Sequence, residues 1–365
     1  MNKCFILHNI DVKTRKKEYL APLYTFIPIT EKLTKKICLD EKVLKGEYLS
    51  NKDYSSISGL IKGQKKCLIL NQKINSIAVL NNYKEQRVRI SKKNYYKNLE
   101  TMLDKNILGK LRKGADNLIF TCFIDNPSSY NAKYYISESY HDLLDIMDIL
   151  KKEFNFKNIY IVIKDIEKNS IEKFIKVFGN YPEINFITIP NIYPIDNTDY
   201  IEENLNIKNN CILTFKEYYQ IFHIINHGCN YNEVFITFHV ENKDPIIVKT
   251  KIGTLVKEIV VFLKIDYSNY HIYVNGPISG YQTEQMEDLI VSNDLESIIF
   301  TKQTLPKALK CLNCGNCFKY CPARINPLKN NKDNESSKCL DCGLCSYICP
   351  AYIDLRKKVK GENNK

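Results

Sequence analysis

Nothing in this sequence is built to cross a bilayer as a helix. No stretch approaches the roughly eighteen consecutive apolar residues such a span requires. No secretory signal is visible either: Met1-Asn2-Lys3 runs into a mixed segment without a long apolar centre. No Ser-His-Asp order, paired-carboxylate site or Walker loop stands out, so hydrolytic and nucleotide-hydrolysing chemistry has no visible carrier. Tryptophan is absent while Lys, Asn, Ile and Tyr abound, a profile that looks like AT-rich coding. That bias explains part of the net charge of +12. A basic surface suits an acidic protein, an anionic lipid or nucleic acid. The basic residues are not gathered into one aromatic-laced stripe, so no nucleic-acid partner is expected.

What the chain has in quantity is cysteine, fourteen in all. Without an export signal, that number suits a reducing cytosol and metal ligation better than a disulfide framework. A cytoplasmic location is the expectation. Eight of the cysteines fall into two copies of C-x2-C-x2-C-x3-C-P, "CLNCGNCFKYCP" from Cys311 and "CLDCGLCSYICP" from Cys339. Two intervening residues let a tight loop present thiolate after thiolate to adjacent irons of a cubane. The fourth cysteine points the other way, and in two-cluster ferredoxins it ligates the other cluster. The expected ligand sets are therefore crossed. Cys311, Cys314, Cys317 and Cys349 hold one [4Fe–4S] cluster, and Cys339, Cys342, Cys345 and Cys321 hold the second. Gly315 and Gly343 fall where the backbone must pass close to a sulfide. Pro322 and Pro350 stop the chain from continuing as helix.

Zinc is the competing reading. It prefers two separated C-x2-C pairs, whereas here three cysteines crowd each loop. The remaining cysteines, Cys4, Cys38, Cys67, Cys122, Cys211 and Cys229, are scattered singly and read as small buried packing residues.

The chain is long enough for about two to four domains. Residues 1–84 read as a small all-β module, with "YTFIPI", "KICL", "KVLKGEYL" and "KINSIAVL" broken by turns at Gly46, Gly59 and Gly63. Residues 85–232 open with a charged stretch and a possible helix at 95–105. From residue 118 strands alternate with helices: "NLIFTCFI", "ISESYHDLLDIMDILKKEF", "NIYIVI", "NSIEKFIKVFG", "INFITIP", then "FKEYYQIFHIINHG" ending at Gly228. That alternation predicts a parallel α/β sheet. Residues 233–302 read as a compact α+β unit, 303–356 as the cluster domain and 357–365 as a tail. The stretch "RKKVKGENNK" is expected to fray.

This order resembles the C subunit of the Rnf electron-transport complex, nearly end to end. Gly46, Ser58 and Gly59 follow that family's first motif loosely. Ile252-Gly253-Thr254 and "NGPISG" (Asn275 to Gly280) match its "I-G-T" start and "G-G-P-M-M-G" loop. "KCLDCGLCSYICPAYIDL" is very close to its second cluster motif. The resemblance implies a multidomain α/β and α+β protein. Its parts are a barrel-sandwich β module, a Rossmann-like parallel α/β domain related to the flavoprotein subunit of complex I, a β-grasp domain of the soluble-ligand-binding type, and a two-[4Fe–4S] ferredoxin-like domain. It also implies ferredoxin-like or other redox subunits as partners, in a membrane-bound Rnf-type complex or feeding a soluble reductase. Attachment would then be peripheral, on the cytoplasmic face of the membrane.

The departures matter as much. The family's Gly-rich loop, G-x-G-G-x-G-F-P, corresponds here to "KNILGKLRKGADNLIF", with only Gly109 and Gly114. The acidic "N-G-A-E-C-E-P-Y" has become "TCFIDNPSSY", and "Y-P-x-G-G-E" survives as Tyr193-Pro194. Anion-cradling backbone is what FMN and a nucleotide need, so neither is expected. His223 and His227, near Cys229, could pair on a metal, but His227-Gly228 reads better as a helix C-terminus. "NGPISG" could hold a small ligand and reads better as a structural turn. The leading function is an electron-transfer subunit. The alternatives are a flavin-dependent NADH dehydrogenase subunit and a non-redox binding protein with structural metal sites.

Overall fold

The structure is a computed structural model. It describes residues 5–6, 12–88, 94–123, 126–164, 184–190, 192–194, 201, 205–303, 306–328 and 338–359. The expected helix over "NSIEKFIKVFG" and Cys4 lie outside the described residues. The described chain folds into several sheets, mixed α and β, with the cysteine-rich segment at its C-terminal end.

Two strands, β1 (Phe5–Ile6) and β2 (Arg15–Tyr19), come before the first sheet. That sheet is antiparallel and built from β3 (Tyr24–Pro28), β4 (Lys42–Val43), β5 (Gly59–Ile69) and β6 (Gln72–Asn81), in the order β3-β6-β5-β4. Its core is Ile27, Val43, Leu49, Ile57, Ile61, Ile77 and Val79. In the extended stretch between β3 and β4, Leu33 and Ile37 turn inward onto that core. Cys38 follows on the opposite face and is exposed. The expectation that it packs inside fails because side chains alternate along extended chain.

The second sheet is parallel throughout. It comprises β7 (Asn117–Thr121), β8 (Asn158–Lys164), β9 (Ile184–Ile189) and, beyond the two-residue β10 (Ile192–Tyr193), β11 (Asn210–Thr214), in the order β11-β7-β8-β9. β7, β8 and β11 are near-continuous apolar runs because both faces are covered, while the edge strand β9 keeps Asn185 and Thr188 exposed. Leu118, Phe120, Ile159, Ile161 and Leu213 enter the large core on one side. Ile119, Val162 and Ile212 enter a second core on the other. The sequence reading did not foresee β11. It holds the edge beside β7, so the last strand of the unit pairs with the first.

The helices behave largely as their patterns require. The possible helix at 95–105 is two, Tyr95–Met102 and Lys105–Leu111. The amphipathic stretch from Ile136 spans the helices Ala132–Ser139 and Leu143–Phe154, joined by one turn of tighter helix. Thr214 and Glu217 form a capping box that starts the helix Phe215–Phe222. A wider turn over His223–His227 follows, and Gly228 ends it at φ 59°.

The third sheet is mixed: β12 (Glu233–Val240), β13 (Ile246–Lys251), β14 (His271–Val274), β15 (Tyr281–Thr283) and β16 (Ser297–Thr301), in the order β15-β14-β16-β12-β13-β2. Its sixth strand, β2, comes from the segment assigned by sequence to the first module and lies parallel to β13.

One end of β12 and β13 carries a half-buried charge cluster. Glu233 takes Lys251 at 2.6 Å and Lys249 at 3.3 Å. Glu138 takes Lys16 at 2.8 Å and Lys249 at 2.7 Å. Despite burial, the surrounding ammonium groups hold the Glu233 carboxyl down to about 2 from its usual 4.5. A depressed value means that stability is complete above the unfolded pKa and lost as pH falls through the folded one. Stability should therefore fall between about pH 4.5 and about pH 2. Glu233→Gln strips the buried Lys251 ammonium of its close carboxylate, while Lys249 keeps Glu138, and should cost about 3 kcal/mol near neutral pH. A denaturant midpoint unchanged by the substitution would contradict this.

The resemblance-bearing motifs turn out to lie at seams. Gly253 adopts φ +86°, and a Cβ there would stand 2.6 Å from the Phe26 carbonyl oxygen. Its own carbonyl accepts the Phe26 N–H at 2.8 Å, fastening the first sheet to the third. A Cβ on Gly276, in "NGPISG", would strike the Ser128 hydroxyl at 2.1 Å. The seat for the cysteine-rich segment is the next turn of that same loop.

Candidate metal centre

The two cysteine loops are built alike. Asn313 and Gly315 take φ of 52° and 73° in the first, and Asp341 and Gly343 take 54° and 73° in the second. Left-handed turns in such loops aim successive backbone N–H groups into a concavity that receives anions. Asn and Asp tolerate that conformation better than other residues with a side chain. The Asn313 N–H donates to the Cys311 sulfur at 3.4 Å, and the Ile325 N–H donates to the Cys321 sulfur at 3.4 Å. A short helix leaves each loop, Asn316–Lys319 and Leu344–Tyr347.

Cys311, Cys314, Cys317 and Cys349 line one hollow of about 320 Å³, its open side included. Cys321, Cys339, Cys342 and Cys345 line a second of about 400 Å³. The fourth cysteine of each copy thus faces the hollow of the other copy. Among the described residues, no three His, Cys, Asp or Glu side chains converge to hold a single metal ion. Zinc draws its sulfurs to about 2.3 Å from one point, whereas a cubane holds four cysteines around a body of four irons. Thiols set around a volume, with N–H groups aimed at sulfur, fit the cubane.

Burial, with neighbouring thiols adding to it, pushes Cys342 up to about 12 and Cys345 up to about 11. Burial raises Cys317 and Cys321 as well. A bound cluster would take these groups as thiolates, so its binding would release protons and couple to folding. The segment's own apolar core is small: Cys317, Ala351, Ile353 and Leu355.

The two hollows differ in setting. Cys311 and Cys314 are exposed, whereas Cys339, Cys342 and Cys345 are half-buried. The second loop sits on the "NGPISG" turn so closely that a Cβ on Gly343 would stand 1.8 Å from the Ile278 carbonyl oxygen. Arg356, on the wall of the second hollow, clamps this seat. Its guanidinium donates to both carboxylate oxygens of Asp341, at 2.5 and 3.0 Å, and to the carbonyls of Ser279 and Gly280. The Tyr193 hydroxyl donates to the Cys342 carbonyl. Sequence reading missed Arg356 and Tyr193 in these roles. It made Arg356 the first residue of a stretch expected to fray, yet the helix Leu355–Val359 buries Leu355 and Val359. The apolar pair at positions 355 and 359, one turn apart, was the available signal.

The remaining candidates do not form centres of their own. Cys67, Cys122, Cys211 and Cys229 are buried, as expected of packing residues. His223 is buried among aromatic rings, and desolvation drives it down to about 3. Its ring lies 5.0 Å from that of His227. Gly109 lies inside the helix Lys105–Leu111 and Gly114 in the turn before β7. A Cβ on either would meet no protein atom within 4 Å.

Residues 306–350 match the family of 4Fe-4S dicluster domains. No curated protein matches the chain. Among solved structures, the NAD+-reducing [NiFe]-hydrogenase in its air-oxidized state aligns with 53% of this chain and 42% of its own, at 11% identity and a TM-score of 0.42. Its H2-reduced state aligns over the same shares at 9% identity and a TM-score of 0.44. The chain thus spans less than half of those chains, and likenesses this distant carry no argument about function.

Proposed function

We propose that this chain is an iron–sulfur electron-transfer subunit similar to the C subunit of Rnf-type complexes, with two [4Fe–4S] clusters. One is ligated by Cys311, Cys314, Cys317 and Cys349, the other by Cys339, Cys342, Cys345 and Cys321. The observation that carries this reading is the pairing of each three-cysteine loop with the fourth cysteine of the other copy around one hollow. When bound, the clusters would supply one-electron redox chemistry. The chain's own residues half-bury the second set of cysteines, direct N–H groups at Cys311 and Cys321 and set Arg356 beside the second hollow, all of which would tune potential.

Electrons are then expected from a protein partner, because the stretch "KNILGKLRKGADNLIF" keeps only Gly109 and Gly114 of the glycines that would let backbone cradle a flavin or nucleotide phosphate. Ferredoxin-like or other redox subunits are the partners this implies. Among the described residues no helix is long and apolar enough to cross a membrane, so membership of a membrane complex would rest on protein contacts.

Anaerobically purified protein should be brown and carry about eight irons per chain, four for each cubane, without stoichiometric flavin. Zinc in place of iron would overturn the reading. One FMN per chain, with rapid reduction by NADH alone, would return the protein to the dehydrogenase class.

A further inference from the structure

We infer that the hollow lined by Cys311, Cys314, Cys317 and Cys349 is the port at which an acidic one-electron carrier protein docks, while the second hollow is an interior relay. The inference rests on the iron–sulfur reading and adds a direction in space to it. The second loop cannot meet a partner face to face, because Gly343 is pressed on Ile278 and Arg356 closes its flank. Among the described residues the first loop has no such cover. A Cβ on Gly315, the counterpart of Gly343, would meet nothing within 4 Å.

Around the first loop the surface is apolar out of keeping with its exposure. Leu309, Leu312, Phe318 and Leu328 are 60%, 63%, 51% and 41% exposed. Leu312 and Leu328 also line the hollow itself. Large exposed apolar side chains gathered in one place and rimmed by polar groups mark an interaction site.

Charge identifies the occupant. Residues 306–328 carry Lys307, Lys310, Lys319 and Arg324 and not one Asp or Glu. The three lysines are exposed. Over residues 338–359 the charges are mixed: Arg356 and Lys357 pair with Asp341 and Asp354, and Lys338 and Lys358 are exposed. Exposed apolar side chains with exposed cations on the same segment, beside a redox site, fit a partner whose own centre lies near its surface among carboxylates. One electron passes between the two centres. One side is oxidised by the electron the other gains, and no bond forms or breaks.

The test is stopped-flow electron transfer from a reduced acidic [2Fe–2S] ferredoxin to the iron-loaded chain. The variant Lys307→Glu/Lys310→Glu/Lys319→Glu should keep its iron and its dithionite-bleached spectrum. Its second-order rate at low salt should fall by about tenfold or more, since steering by opposite charge is lost. The difference should close at high salt, where the attraction is screened. With cytochrome c, a basic carrier, the same variant should react faster than the parent. The milder Lys307→Gln/Lys310→Gln pair should shift the rate in the same direction by less. Lys66→Glu/Lys73→Glu, on the first sheet, should leave it unchanged.

An iron-loaded variant that keeps the parent's rate overturns the port alone. So does a loss of rate that persists at high salt, which reports an altered potential, or an equal loss in the Lys66/Lys73 control. A parent protein without iron overturns the iron–sulfur reading, and the port with it.

Discussion

Cys321→Ser is expected to remove the paramagnetic signal of the cluster assigned to Cys339, Cys342 and Cys345, leaving that of its own loop in place. Cys321 lies in the first copy of the motif, yet it lines the hollow of the second. Cys349→Ser should do the reverse, because Cys349 lines the hollow of Cys311, Cys314 and Cys317. In each variant the iron content should fall from about eight toward about four per chain, since one cubane of four is lost. The effect is large because a serine at a ligating position leaves one iron without its thiolate, and because loading and folding are coupled in so small a core. If each substitution instead damages only the cluster of its own loop, the crossed assignment fails and each copy is a self-contained unit.

The second large effect concerns the seat. Gly343→Ala should loosen the cluster segment from the third sheet, whereas Gly315→Ala should be mild. Both glycines hold φ of 73°, so each substitution brings about 1 kcal/mol of left-handed strain. Only at Gly343 does the new Cβ also meet a backbone carbonyl, that of Ile278, at 1.8 Å. Backbone cannot turn aside as a side chain tip can, so the loop must lift. Hydrogen exchange at residues 276–283 should quicken by about tenfold or more in Gly343→Ala, as local opening becomes easier. Gly315→Ala should leave those amides unchanged. Equal behaviour of the two variants would mean that the seat contributes nothing.

Much of this was legible in one dimension. Alternating apolar residues in "YTFIP" and "QKINSIAVLN" marked the first sheet, and the unbroken runs "NLIFT" and "NIYIVIK" marked strands covered on both faces. The Gly228 stop is a local matter of left-handed geometry, so it could be read in place. β11 escaped notice because "NCILT" is short and its strand character depends on lying against β7. Cys38 was misplaced because a lone cysteine carries no periodicity, and only its neighbours Leu33 and Ile37 show which side faces in.

By itself the sequence determined the chemistry of the C-terminal segment. Spacing places three thiols in each loop, Gly or Asn/Asp permits the left-handed turns, and Pro ends each copy; all of these act within a dozen residues. Only the tertiary structure decided which loop is sheltered. The two copies share their cysteine spacing and their turn conformation. Yet Gly343 meets Ile278, Arg356 meets Ser279 and Gly280, and Tyr193 meets the Cys342 carbonyl. Those partners lie far away along the chain, so no local pattern announces them. The asymmetry between an open and a seated cysteine set belongs to the packing of the whole molecule.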